Sequence, residues 1–409
     1  MNRSGCAKAQ KNFTLFYALQ AVDIRGQHVL NTAARSPDKH YGKAGKEMSK
    51  TSYLYLEDGS VYEGEARGDF RQMVCEIVFN TSMTGYLEIL TDPSYAGQGV
   101  VMTYPMIGNY GVEREDYESI RFQPCAFIMH ELCDKPSNFR CEATLEEVLK
   151  EFHIPCLTGV DTRSIVKRLR EEGAMRGVLT DDISDKDALM KMIKDFKQEK
   201  LVESVSRKEK EIFGAGNTGA KIALLDYGVK TNIARSLANR GCEVTVFPCG
   251  TTAQEIIDFK PDGIMLSNGP GDPQDCRSII AEVKKIYDYA IPTFAICLGH
   301  QLMALATGGD TEKMKYGHRG ANHPVKFLHE DKTYISSQNH GYMVKADSLP
   351  ANAEVNCINV NDRTVEGVIY HGKPIFTVQF HPEASPGPHD TAFLFDKFIK
   401  MIKEGKLDD

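Results

Sequence analysis

Short apolar runs and amphipathic stretches alternate along the chain, and the texture changes twice. After residue 52 come three runs of strand length, at 53–56, 73–80 and 99–104. Turn signals separate them, among them Glu57-Asp58-Gly59, Gly85, Gly97, Gly108 and Gly111. Apolar residues at helical spacing then predict helices over 145–152 and 161–172, with Asp161 or Thr162 available as N-cap of the second. Strands first and helices later predict a small α+β domain over 49–190. Residues 185–211 are dense in Lys and Glu with widely spaced apolar positions, and Gly214-Ala215-Gly216-Asn217 marks a loop. A surface helix running into a connector puts a linker at 191–219.

From residue 220 strand candidates at 222–225, 243–247, 263–266 and 293–296 alternate with helix candidates at 232–240, 253–259, 276–289 and 300–306. This alternation predicts βαβ units and hence a parallel sheet with helices on both faces, over 220–403. The fold class is α/β, the carboxy-terminal parallel-sheet domain being preceded by the smaller α+β domain. In such sheets chemistry gathers at the carboxyl ends of the strands.

Residues 1–48 follow neither period. Eight Lys or Arg against three acids give this segment +5, which leaves −12 for the rest of a chain whose formal charge is −7. It reads as a disordered leader, with Met48 as an alternative first residue; the run 13–19 is short, and no convincing cleavage site follows it.

Composition narrows the partners. With 42% hydrophobic and 26% charged residues among 409, the balance is that of a globular protein with material for two cores. A net negative charge gives no reason to expect nucleic acid. The chain holds no apolar run long enough for a membrane span. Its eleven cysteines are scattered, odd in number and free of CxxC pairs, which fits a reducing compartment and a cytoplasmic location.

Three segments carry chemistry. In Phe294-Ala295-Ile296-Cys297-Leu298-Gly299-His300-Gln301 an apolar strand runs into Cys297 and then a helix. A thiol on that bend is exposed, and the positive end of the next helix favours its ionised form. In Phe376-Thr377-Val378-Gln379-Phe380-His381-Pro382-Glu383 a strand delivers His381, Pro382 ends the pairing, and Glu383 can orient the imidazole. In Ser267-Asn268-Gly269-Pro270-Gly271-Asp272-Pro273 two glycines let backbone N–H groups approach a ligand closely. Each has a bland reading taken alone: a core cysteine, a surface histidine beside an acid, a tight turn. Their co-occurrence in one predicted α/β domain favours catalysis.

Together the three segments resemble a class I, triad-type glutamine amidotransferase domain. The usual elbow of that family is Gly-x-Cys-x-Gly, and Ala295 stands at its first position here. The amino-terminal region narrows the resemblance. The motif from Glu76 to Tyr86, its continuation from Glu88 to Tyr95, Thr103-Tyr104-Pro105, Ile107-Gly108-Asn109-Tyr110-Gly111 and Gly159-Val160-Asp161-Thr162-Arg163 are similar to carbamoyl-phosphate synthetase small subunits. Asp226-Tyr227-Gly228-Val229-Lys230 and the run from Lys313 to Pro324 fit the same family, and the match extends from 52 to about 403.

The resemblance implies glutamine hydrolysis to glutamate and ammonia through a thioester. Cys297 would be the nucleophile, His381 the base and acid, and Glu383 its orienting carboxylate. The glutamine site would comprise Ser94, Gly269, Gly271, Leu298, Gln301, Asn339, Gly341 and Tyr342, where Tyr342 takes a place often held by Phe. Ammonia would pass internally to a large synthetase subunit in a heterodimer, itself open to higher-order assembly, for arginine or pyrimidine biosynthesis. No cofactor is expected in this chain; ATP, bicarbonate and magnesium belong to the partner. No metal is expected, because His318, His323 and His340 lack ligand-like spacing with acids. The rival readings are a glutaminase for anthranilate or GMP synthesis, a scaffold without activity, and a stand-alone hydrolase of γ-glutamyl compounds.

Overall fold

Residues 50–198 and 200–407 are described by the computed structural model. The leader expected over 1–48 lies outside the described residues.

Seven strands of the first region close into a barrel. Around it run Thr51–Leu56, Val61–Gly68, Pro155–Thr158, Ala126–Ile128, Gln98–Met102, Met73–Asn80 and Met175–Thr180, and the last pairs back onto the first. Alternation explains the closure. Leu54, Leu56, Ile77, Val101, Ile128, Leu157 and Leu179 all turn to one side and pack as one core. Their alternates, including Val78, Val100, Phe127 and Cys156, form a second core on the other side, under helix Leu145–Glu151. The expected strands and helices of the α+β domain are present; their closure into a barrel is the added finding.

The second region is a ten-stranded sheet. Five central strands, Glu243–Pro248, Lys221–Asp226, Gly263–Leu266, Thr293–Ile296 and Ile375–Val378, are parallel. They read as continuous apolar runs because both faces are covered. On one face Ile222 and Leu224 meet helices Thr231–Ala238 and Phe393–Glu404; on the other Ala223 and Leu225 meet helices Ala253–Asp258, Arg277–Tyr289 and Leu298–Ala306. Each such Leu or Ile, fully buried, contributes about 1.5–3 kcal/mol.

Beyond Ile375–Val378 the sheet turns antiparallel, through Val365–Tyr370, Ala353–Asn359, Thr311–Phe327 and Lys332–Val344. The strand and helix candidates read from the sequence do not include this half. The stretch expected as a linker, 191–219, is also more than a connector. It holds the end of helix Lys186–Asp195, helix Leu201–Val205 and strand Glu211–Phe213, which pairs with Glu243–Pro248 as the opposite edge.

Candidate functional site

Strand Thr293–Ile296 runs into Cys297, which adopts φ 52° and ψ −104°, and helix Leu298–Ala306 begins at once. A positive φ is costly for a residue with a Cβ, of order 1–3 kcal/mol, and persists only where the surroundings impose it. Here the Cys297 N–H is tied to the Val378 carbonyl at 2.8 Å and the Gly299 N–H to the Ser267 carbonyl at 3.0 Å. Both bonds join the bend to neighbouring strand ends. Gly299 is required by packing, since a Cβ there would lie 2.6 Å from the Leu266 carbonyl oxygen. Ala295, the departure from the family elbow, is fully buried and finds room in the core.

His381 lies three residues past strand Ile375–Val378 and is fixed by its N–H to the Ser337 carbonyl, 2.9 Å. Its Nδ1 meets Glu383 Oε1 at 2.6 Å, and Lys230 Nζ stands 3.0 Å from the same oxygen. All three side chains are buried. Burial opposes the imidazolium, but the Glu383 carboxylate and the nearby Cys297 raise the His381 pKa. Burial likewise opposes the Glu383 carboxylate, and Lys230 with His381 lower its pKa nonetheless. The group is an ion cluster whose charges compensate one another.

Cys297 lies close enough to act on the His381 ring, yet its Sγ faces the Asn339 carbonyl at 3.7 Å and His381 Nε2 has no hydrogen-bond partner.

A cavity of about 700 Å³ has Cys297 in its wall. Of the residues expected to hold glutamine, Ser94, Gly269, Gly271, Gln301, Asn339, Gly341 and Tyr342 line it together with Cys297. Leu298, His381 and Glu383 are not in that lining. Leu298 packs beneath Gly269, and His381 borders a separate small void with Asp92 and Lys230. Gln301 is held by the Tyr342 carbonyl and Gln379 Oε1, both at 2.9 Å. Burial and the neighbouring Asp272 push the Tyr342 phenol pKa up, so it stays protonated.

Ser94 comes from the barrel region, and a buried polar joint brings it here. Asp92 Oδ1 accepts the Ser94 N–H at 2.9 Å, its Oδ2 accepts Asn339 Nδ2 at 2.8 Å, and Asn268 Nδ2 donates to Ser94 Oγ at 2.9 Å.

Sequence reasoning gives no role to Asp92, Glu118, Lys230, Asn268 or Arg319. The quoted motifs contain Asp92, Lys230, Asn268 and Arg319, and that is the available signal. Arg319 is a buried cation on the cavity wall, held by its Nη1 to the Tyr316 carbonyl at 2.6 Å. Around the histidines the fold brings acids that sequence spacing does not. His318 meets Asp362 at 2.7 Å and Glu366 at 3.4 Å, and ligand-type atoms of His318, His340 and Glu366 lie within 4.8 Å of one another. Although burial opposes it, the two carboxylates raise the His318 pKa to about 9, so a proton serves as their counter-charge at neutral pH. The ten described cysteines are all free. Among the described residues no helix is long and apolar enough to cross a membrane.

Two family profiles match the chain. Residues 54–179 match the carbamoyl-phosphate synthase small chain, CPSase domain, and residues 223–401 match glutamine amidotransferase class-I. A carbamoyl phosphate synthase small chain of Clostridium perfringens is 49% identical over 348 residues, covering 85% of this chain and 98% of its own. That of Bacillus caldolyticus is 50% identical over 353 residues, covering 86% and 96%. A pyrimidine-specific small chain of Bacillus subtilis is 49% identical over 358 residues, covering 86% and 97%.

Proposed function

Because the chain belongs to the carbamoyl-phosphate synthase small-chain family, we propose that it hydrolyses glutamine with Cys297, His381 and Glu383 and passes the ammonia to a large synthetase subunit. The observation that carries this reading is the cavity with Cys297 in its wall. Ser94 of the barrel region and Gly269, Gln301 and Asn339 of the second region line it together, and His381, whose pKa the nearby Cys297 raises, is paired with Glu383 at 2.6 Å.

In the proposed reaction the Cys297 sulfur attacks the side-chain amide carbon of glutamine, and its proton goes to His381. The oxyanion of the tetrahedral adduct is taken by two backbone N–H groups, that of Leu298 from the elbow and that of Gly269 from the 267–273 loop. His381 protonates the departing nitrogen, ammonia leaves, and a thioester remains. Water, deprotonated by His381, then releases glutamate and restores the thiol. Glu383 keeps the imidazole oriented and balances its charge, with Lys230 holding Glu383 ionised throughout. Gly271, Gln301, Gly341 and Tyr342 surround the substrate's polar groups. The ammonia reaches the partner by an internal passage. The partner supplies the ATP, magnesium and bicarbonate chemistry of carbamoyl phosphate synthesis in a cytoplasmic heterodimer serving arginine or pyrimidine formation.

The Cys297→Ser variant tests the reading. With the large subunit present it is expected to lose glutamine-dependent carbamoyl phosphate synthesis by roughly a thousandfold or more and to keep ammonia-dependent synthesis at the wild-type rate. Loss of both activities would replace the catalytic role with one in folding or assembly.

A further inference from the structure

Helices begin with unpaired N–H groups, and the residue just before the helix normally supplies the oxygen that accepts them. Helix Thr231–Ala238 has no such cap of its own: its preceding residue is Lys230, which offers no acceptor and makes no side-chain cap. The acceptors come instead from residue 118, in the barrel region. Glu118 Oε2 accepts the Asn232 N–H at 2.8 Å, and the Glu118 carbonyl accepts both the N–H and the hydroxyl of Thr231, each at 2.9 Å. Glu118 is itself anchored, its N–H donating to Thr91 Oγ1 at 2.9 Å, and the residue is buried.

What this helix start holds is the carboxylate of the proposed triad. Lys230 Nζ meets Glu383 Oε1 at 3.0 Å and also donates to the Ala384 carbonyl. Asn232 Nδ2 donates to the Glu383 carbonyl at 2.6 Å and to Ser385 Oγ at 3.1 Å. Position 230 therefore cannot be a Ser, Thr or Asp cap without giving up the cation beside Glu383, and here the cap comes from elsewhere. A buried carboxylate is an expensive substitute for a hydroxyl, so its presence calls for a reason beyond capping.

We infer that Glu118 is a positioning residue for the glutaminase reaction: reaching in from the barrel region, it fixes the Lys230–Asn232 turn and through it the orientation of Glu383 behind His381. The inference rests on the triad reading given above. It makes the second sheet's catalytic geometry dependent on the barrel region at a point away from the substrate cavity. The charged groups that face Glu118 are Lys230, Glu383 and Arg235; burial outweighs the two cations, and its pKa is pushed up to about 7.

The test compares Glu118→Ala and Glu118→Gln in the full chain assembled with its large subunit. Gln keeps an oxygen for the Asn232 N–H, and Ala removes it. The expected result is a fall in kcat for glutamine hydrolysis of about tenfold or more in Glu118→Ala, with KM for glutamine within about twofold of wild type and substantial recovery of kcat in Glu118→Gln. Ammonia-dependent synthesis stays at the wild-type rate. If Glu118→Ala does not fold, Glu118→Asp decides: the carboxyl group is kept but the reach is one methylene shorter, and the same kcat loss without a KM change is expected. Wild-type kcat per folded molecule in the folded variants overturns the inference, as does a loss that appears only in KM. Cys297→Ala is run beside them. Its inactivity with fully active Glu118 variants sinks this inference alone, whereas an active Cys297→Ala sinks the triad reading itself.

Discussion

A Cβ built on Gly269 would lie 2.1 Å from the Tyr227 carbonyl oxygen and 2.7 Å from Leu298 Cδ2. Backbone cannot yield as a flexible side chain can, so Gly269→Ala must push the loop away from the elbow. The Gly269 N–H would then leave the position proposed for it in the oxyanion site. Loss of one such donor costs about 2.7–4 kcal/mol of barrier, so kcat for glutamine hydrolysis is expected to fall about 10²–10³-fold, with the thermal midpoint lowered only modestly. Steady-state kinetics beside a melting curve checks this; an unchanged kcat would remove Gly269 from the oxyanion site. At this scale the sequence was legible wherever chemistry leaves a local signature: a strand, a bend and a Gly around Cys297, or a His-Pro-Glu after a strand. Lys230 and Asp92 left only their membership of a motif, and Glu118 left nothing. Their roles come from burial next to partners 153, 247 and 114 positions away, and a charged residue in a sequence looks the same whether it faces water or a buried carboxylate.

Helix Thr162–Glu172 shows how local rules set an element's ends. Asp161 accepts the Ser164 N–H at 2.9 Å, Gly173 follows the last turn with φ 108°, and Ile165 and Leu169 are buried beneath the helix. Replacing Asp161 with Ala removes an exposed cap and nothing else, so the expected cost is about 1 kcal/mol. Urea titration should show a lower midpoint with an unchanged slope; a change in slope would mean that the helix end does more than cap. Elements of this kind were legible: the predicted runs 73–80, 263–266 and 293–296 coincide with Met73–Asn80, Gly263–Leu266 and Thr293–Ile296. The hairpin of Thr311–Phe327 and Lys332–Val344 was not. Ser336, Ser337, Gln338, Asn339 and His340 are consecutive, polar and buried. Two-residue alternation of apolar and polar positions, the mark by which a strand is recognised, is absent where a strand faces a polar cavity and another sheet region at once.

Across the whole molecule, Asp92 is where the barrel region and the second sheet share a buried carboxylate, one oxygen on the Ser94 N–H and the other on Asn339 Nδ2. Asp92→Ala removes both acceptors and leaves the Asn339 amide buried with one partner fewer. Hydrogen bonds to charged groups contribute about 1.5–3 kcal/mol each, and two cavity-lining residues lose their fixed positions together. A rise in KM for glutamine of about tenfold or more is therefore expected; isothermal binding of glutamine to a Cys297→Ser background separates affinity from rate, and unchanged affinity would mean that Ser94 and Asn339 are held without Asp92. The barrel also grips the long hairpin, by the Thr81 N–H on the Arg319 carbonyl at 3.2 Å, the Ala174 N–H on the Lys315 carbonyl at 2.8 Å and Glu76 on Lys313 at 2.7 Å. The hairpin's other strand carries Asn339, Gly341 and Tyr342 on the cavity wall. Both strands of the hairpin are therefore moored to the barrel, the first by those three clamps and the second by Asp92 on Asn339, so a load on the barrel is shared between the two walls of one cavity.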